Sequence, residues 1–135
     1  MSGISKRRKT REVLMTLLYQ SEFGSDHGMA IQAARNEHEQ QMDAAYFDVV
    51  ASPLMQSIDD IDEVYQRFLP QSLNVGDMTS IERAVIRLAV FEMCFQQNIP
   101  KPVVMNEAIE LAKAFGTEKG YQFVNAILDS VKRQL

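Results

Sequence analysis

Six consecutive positions, Lys6-Arg7-Arg8-Lys9-Thr10-Arg11, hold five cations. A guanidinium group donates two parallel N–H bonds to a phosphate and stacks its flat face on an aromatic ring. A run of such groups at the start of a helix can follow a nucleic-acid backbone. Taken alone, the run also reads as a solvated tail. Cations at a helix N-terminus oppose the macrodipole, so they serve binding better than they serve stability. Tyr19 follows about two helical turns later. Its ring, like those of Phe115 and Phe123, can stack on a base or fill a core, and spacing alone favours the core.

Other chemistries lack their residues. Asp59-Asp60-Ile61-Asp62-Glu63 has neither the glycine nor the alternating oxygen ligands of a calcium loop and reads as a solvated helix face. His38-Glu39-Gln40-Gln41-Met42 lacks the second histidine of a zinc-protease helix. His27 and His38, the two histidines, have no thiolate or carboxylate at zinc-ligand spacing. No glycine-rich phosphate loop occurs. Cys94 lies in an apolar segment that suits an inert buried thiol. A protein without catalytic activity, metal or cofactor is expected. One cysteine forbids an internal disulfide and fits a reducing cytoplasm. No apolar run reaches the ~18–20 residues of a membrane span, and nothing near the N-terminus resembles a secretory signal.

Charge is distributed unevenly. Residues 1–12 carry five cations against Glu12, which leaves +4. The remainder carries nine cations against seventeen carboxylates, or −8, and the chain totals −4. A basic arm on an acidic body suits an anion-binding end and a separate acidic face.

Helices must position these groups. Val13, Leu14, Leu17 and Leu18 make a one-sided stripe for a helix from about Lys9 to just before Gly24. Asp26 can cap a short helix from His27 to about Glu37. A third helical stretch runs from about Met42 to Leu69, and Pro53 should kink or break it. Ser52–Pro53 can equally cap and open a new helix. Residues 70–76 read as a loop. Thr79 and Glu82 form a capping box ahead of a helix apolar on most sides, the mark of a central element. A further helix opens near Pro102 and ends at Gly116, an expected left-handed C-cap. Thr117 should cap the last helix, which carries Tyr121, Val124, Leu128 and Val131. No period-2 strand pattern appears. The expectation is one all-α domain over residues 1–135, with six or seven helices in two packed three-helix halves, near 1–70 and 71–135.

The residues also carry a resemblance. Ile99-Pro-Lys-Pro-Val-Val-Met-Asn-Glu-Ala-Ile-Glu-Leu-Ala-Lys-Ala-Phe-Gly, then Phe123-Val-Asn125 and Leu128-Asp129, follow Ile81-Glu82-Arg83-Ala84-Val85-Ile86-Arg87-Leu88-Ala89 and Phe91-Glu92. With Arg8, Arg11-Glu12 and Leu18-Tyr19, this pattern resembles the NusB family over essentially the whole chain. The resemblance implies a cytoplasmic factor that promotes transcription antitermination. It would bind the boxA element of nascent ribosomal RNA as a single strand, with NusE, a small-subunit ribosomal protein, in an RNA polymerase complex with other Nus factors. It implies RNA contacts from Lys6, Arg7, Arg8, Arg11, Tyr19, Phe115, Lys119 and Phe123, and NusE contacts at Phe68 and Glu82. Self-association into a homodimer would be one way to hide the RNA surface. Ser52–Pro53 and a long 71–77 loop depart from the family pattern and put partner contacts there in question. Two other readings stand beside this one. One is a protein–protein scaffold with a flexible basic tail. The other is the NusB-like RNA-binding domain of a ribosomal RNA methyltransferase, against which stands the lack of a following nucleotide-binding segment.

Overall fold

The computed structural model describes residues 3–135 except Ser25, Pro70, Leu73 and Gln97, with the backbone alone of 4, 5 and 75. Pro70 and Leu73 of the expected loop therefore lie outside the described residues. The elements are α1 (Gly3–Ser21), α2 (His27–His38), α3 (Ala44–Gln56), α4 (Ile58–Arg67), a 3-10 turn (Val75–Asp77), α5 (Ser80–Phe95), α6 (Lys101–Phe115) and α7 (Gly120–Gln134). Among the described residues there is no strand, and the fold is all-α. The helices form two compact units, Met1–Ser57 and Ile58–Leu135. The boundary falls earlier than the expected position near residue 70, because α4 packs on α5 and α7.

In the first unit, α1, α2 and α3 contact one another pairwise. Val13, Leu14, Met15, Leu17 and Leu18 of α1 are buried, as are Tyr46, Phe47, Val50, Leu54 and Met55 of α3. Helix α1 begins at Gly3, more than a turn before the expected start at Lys9. The hydrophobic stripe that announced it begins only at Val13, so periodicity is blind to the polar first turns. A tertiary clamp holds those turns. The Thr10 hydroxyl, fully buried, accepts a bond from the Asp43 amide at 2.8 Å and lies 2.9 Å from the Lys6 carbonyl. The Asp43 amide also donates to the Lys6 carbonyl, at 3.2 Å.

Two aspartates open the next helices. Asp26 accepts from the Met29 amide at 2.9 Å, as expected for α2. Asp43, unremarked in the sequence, accepts from the Tyr46 amide at 3.1 Å and starts α3. Each satisfies an amide that has no partner within its helix. Helix α2 contributes no fully buried residue. Its Arg35 reaches across to α3, bonding Asp48 at 2.7 and 3.3 Å, and also pairs with Glu39. Pro53 neither breaks nor starts a helix: it lies inside α3, and the break comes at Ser57, whose amide bonds the Leu54 carbonyl. The proline sits in the final turns, so it strands one carbonyl, that of Val49. Pro53 and Val49 are both exposed, a setting in which solvent can satisfy a carbonyl that lacks its amide.

In the second unit α5 is the central helix, contacting α4, α6 and α7. Its buried residues occupy every side, from Ala84 to Met93. Leu111 and Ala112 of α6 and Val124, Ile127, Leu128 and Val131 of α7 are buried as well. The capping box forms as expected: the Glu82 amide donates to Thr79 Oγ1 at 3.1 Å and the Thr79 amide to Glu82 Oε2 at 3.0 Å. The Ser130 hydroxyl of α7 donates to the carbonyl of Phe68, just past α4.

Two expected caps differ. Gly116 ends α6 with φ −96° and ψ −169°, extended and not left-handed. Glycine is needed there for another reason: a Cβ would stand 2.7 Å from the Ala112 carbonyl oxygen, which accepts the Gly116 amide. Thr117 does not cap α7, whose N-cap is Lys119 with no side-chain cap bond. Among the described residues the left-handed glycine is Gly24, φ +86°, just beyond α1.

Candidate nucleic-acid interface

The basic arm is the first part of α1 and not a tail. Its cations sit in unlike surroundings because a helix turns about 100° per residue. Lys6 and Arg8 are exposed and Lys9 is half-buried. Lys9 pairs with Glu12 at 3.6 Å. Arg7 is half-buried against the start of α3. Its Nε donates to Asp43 Oδ2 at 3.1 Å, and its guanidinium lies 3.8 Å from the Tyr46 ring centroid, a close cation–π contact. Arg11 is only 4% exposed and stands 6.0 Å from the same ring. Of the four arm cations expected at RNA, the fold presents Lys6 and Arg8 outward, holds Arg7 sideways and encloses Arg11.

Asp43 is the hub of this arrangement. Its carboxyl is held below its ordinary value, first because the Tyr46 amide donates to it and then because Arg7 does, against the opposing effect of partial burial. The same side chain caps α3 and orients the arm.

Tyr19 lies on the outward side of α1, half-buried. Phe23, just past the end of α1, is 67% exposed, and its ring forms a T-shaped pair with that of Tyr19 at 5.1 Å. The signal that could have flagged it is its place just before Gly24, where α1 has ended and no core face remains.

Phe115, Lys119 and Phe123 belong to the second unit, and the fold does gather them at one turn. Phe115 ends α6 and is 46% exposed. Lys119 is exposed at the N-cap of α7, and Phe123, one turn on, is half-buried. A cation missed in the sequence joins them: Lys113 Nζ lies 5.0 Å from the Tyr121 ring centroid. Helical spacing from Phe115 gives no hint of this pair, which α6 and α7 create by packing.

Glu82 is 5% exposed, and its carboxylate is committed to the capping box. Its Oε1 lies 2.9 Å from where a Cβ on Gly120 would stand, so the starts of α5 and α7 meet at this carboxylate. Phe68 is half-buried, with Arg67 5.8 Å from its ring.

The acidic run divides. Asp59, Asp60 and Glu63 are exposed. Asp62 accepts two bonds from Arg87, at 2.8 and 2.7 Å. Cys94 is half-buried on α5, and burial pushes its thiol up. Among the described residues, no three His, Cys, Asp or Glu side chains are grouped to hold a metal ion, and no helix is long and apolar enough to cross a membrane.

Known proteins of this kind can now be set beside the geometry. The NusB family model matches residues 8–133. The transcription antitermination protein NusB of Tolumonas auensis is 33% identical over 133 residues, covering 97% of this chain and 95% of the relative. That of Bacillus pumilus is 35% identical over 131 residues, covering 96% and 97%. Among solved structures, T. maritima NusB superposes with a TM-score of 0.80 at 29% identity, over 95% of this chain and 91% of the other. A chain from the crystal structure of the antitermination factors NusB and NusE in complex with dsRNA gives 0.82 at 21% identity, over 95% and 96%, a likeness of fold. An all-helical fold with a cationic first helix, and sequence kinship along nearly its full length, lead to one conclusion: the chain belongs to the NusB family.

Proposed function

We propose that this protein is a non-enzymatic antitermination factor that binds single-stranded boxA-type RNA of nascent ribosomal transcripts in the cytoplasm. It does so together with NusE, within an RNA polymerase complex that includes other Nus factors. The observation that carries this reading is the clamped amino-terminal part of α1. Thr10 and Asp43 fix the helix turns that display Lys6 and Arg8 outward, so the cations are ordered before a ligand arrives. Preorganisation of this kind lowers the entropic cost of binding. The relative solved with NusE and dsRNA supports the partner assignment. The −8 carried beyond residue 12 suits a basic ribosomal protein and would steer the encounter.

The contacts divide into two kinds. Lys6, Arg8 and Lys119 neutralise phosphates, and Tyr19, Phe115 and Phe123 offer ring faces to unpaired bases. Arg7 and Arg11 act chiefly by shaping α1 against Tyr46. Glu82 serves NusE binding by holding the starts of α5 and α7 in register, and Phe68 supplies a half-buried ring at the end of α4.

The test is an anisotropy titration of labelled RNA with and without NusE, comparing a boxA single strand, a scrambled strand and a duplex. Tightest binding to boxA, strengthened by NusE, is expected. Equal affinity for boxA and scrambled strands overturns the sequence-specific reading. A Lys6→Ala plus Arg8→Ala variant that binds as the parent does would leave a protein–protein scaffold in its place.

A further inference from the structure

We infer that Phe23 is a second base-stacking residue, forming with Tyr19 an aromatic platform at the far end of the α1 stripe that begins at Arg8. The inference rests on the RNA-binding reading above and adds a residue to it. Arg8 and Tyr19 are eleven positions apart, close to three whole turns, so they lie on nearly the same side of the helix and about 16 Å apart along it. Between them toward that side lie Glu12, half-buried and paired with Lys9, and Thr16, which is exposed. Phe23 stays in line because the chain tightens past the helix end: the Glu22 amide bonds the Tyr19 carbonyl at 3.3 Å and the Phe23 amide the Gln20 carbonyl at 3.0 Å. Gly24 then turns the chain away through positive φ.

The two rings meet edge to face, at 60°. That geometry satisfies the quadrupoles of the pair and leaves most of Phe23 in water. A phenyl group 67% exposed has apolar area left to bury against a partner, and an aromatic face suits a flat one. An unpaired base is the partner that the rest of the stripe favours. Its phosphate would face the cations at the other end of the same helix, whereas a purely apolar side chain from a protein would leave them unused.

The chain has no tryptophan, so Phe23→Trp creates a single indole reporter at this position. With a boxA single-stranded oligonucleotide, its emission is expected to be quenched. Phe95→Trp, at an exposed phenylalanine of the second unit, serves as the control and is expected to stay unquenched. Phe23→Ala and Phe23→Leu are expected to weaken binding about 5- to 160-fold, the range for one stacked base. Their dependence on salt should match the parent, since no charge is removed. Phe23 is largely exposed, so circular dichroism should show unchanged helicity. Parent-like affinity of Phe23→Ala with an unquenched reporter overturns the inference. If Lys6→Ala plus Arg8→Ala still weakens binding in that case, the RNA reading survives without it. If neither change matters, the RNA reading fails as well. Quenching by NusE alone and not by RNA would also overturn the inference, by making this a protein-docking surface.

Discussion

Individual charges in the arm of α1 differ in role because their surroundings differ. An exposed lysine can release one counterion from a phosphate, and a buried arginine cannot. Lys6→Ala should therefore lower the slope of log affinity against log salt by roughly 0.7, the value for one contact on a single strand. Titrations at several salt concentrations measure it, and an unchanged slope removes Lys6 from the interface. Arg11 sits 4% exposed near Tyr46. Arg11→Ala should act through stability, costing about 1–2 kcal/mol from lost packing of its stem and head. A denaturation midpoint equal to the parent's would contradict that assignment. Asp62 and Arg87 pair bidentately with little exposure on either side. Asp62→Ala leaves a guanidinium largely out of water without its carboxylate, and should destabilise by about 3 kcal/mol.

At the scale of elements, the joints matter more than the helices. Asp43 starts α3, holds Arg7 and meets Thr10. Asp43→Ala should cost about 1 kcal/mol for the cap alone. Its pH dependence has a definite sign. The carboxyl is depressed below its ordinary value of 3.8, so its contribution is fully present above that value and is lost as pH falls through the lower, folded one. The melting temperatures of parent and Asp43→Ala should thus differ at neutral pH and converge in acid. Convergence at neutral pH instead would refute the role of the Asp43 carboxylate as cap and partner of Arg7. The α6–α7 joint depends on Gly116. A methyl group there meets the Ala112 carbonyl at 2.7 Å, and backbone must move to admit it. Gly116→Ala should cost about 1–3 kcal/mol and should displace Phe115 and Lys119, weakening RNA binding as well. Thermal melts and RNA titrations on the one variant test both effects.

On the scale of the whole molecule, each unit uses a different device to order its functional surface. The first unit relies on a buried hydroxyl and an aspartate that tie α1 to α3, with α2 attached through half-buried small residues and the Arg35–Asp48 pair. The second relies on a central helix buried on every side, against which α6 and α7 place their shared turn. The acidic surplus resides outside residues 1–12. Affinity for a basic protein partner should therefore fall with added salt even in variants whose arm is neutralised, a separation readable by titrating NusE without RNA.

Helical class, the capping box at Thr79, the Asp26 cap and the clustering of cations near the amino end were all legible in the chain itself. Each depends on neighbours within a few positions: a 3.6-residue period, a hydroxyl three residues from a carboxylate, a run of like charges. Where α1 begins, why Pro53 leaves α3 intact and why Gly116 must be glycine were not legible, because those answers lie in solvent exposure and in a carbonyl brought close by folding. The candidate site divides in the same way. Residue types marked Lys6, Arg8 and the rings as able to meet RNA. Only the fold could enclose Arg11 beside Tyr46, aim Arg7 at a carboxylate 36 positions away and leave Phe23 facing water. Whether a charged or aromatic group meets solvent is set by partners distant in the chain, and pattern within one helix holds no record of them.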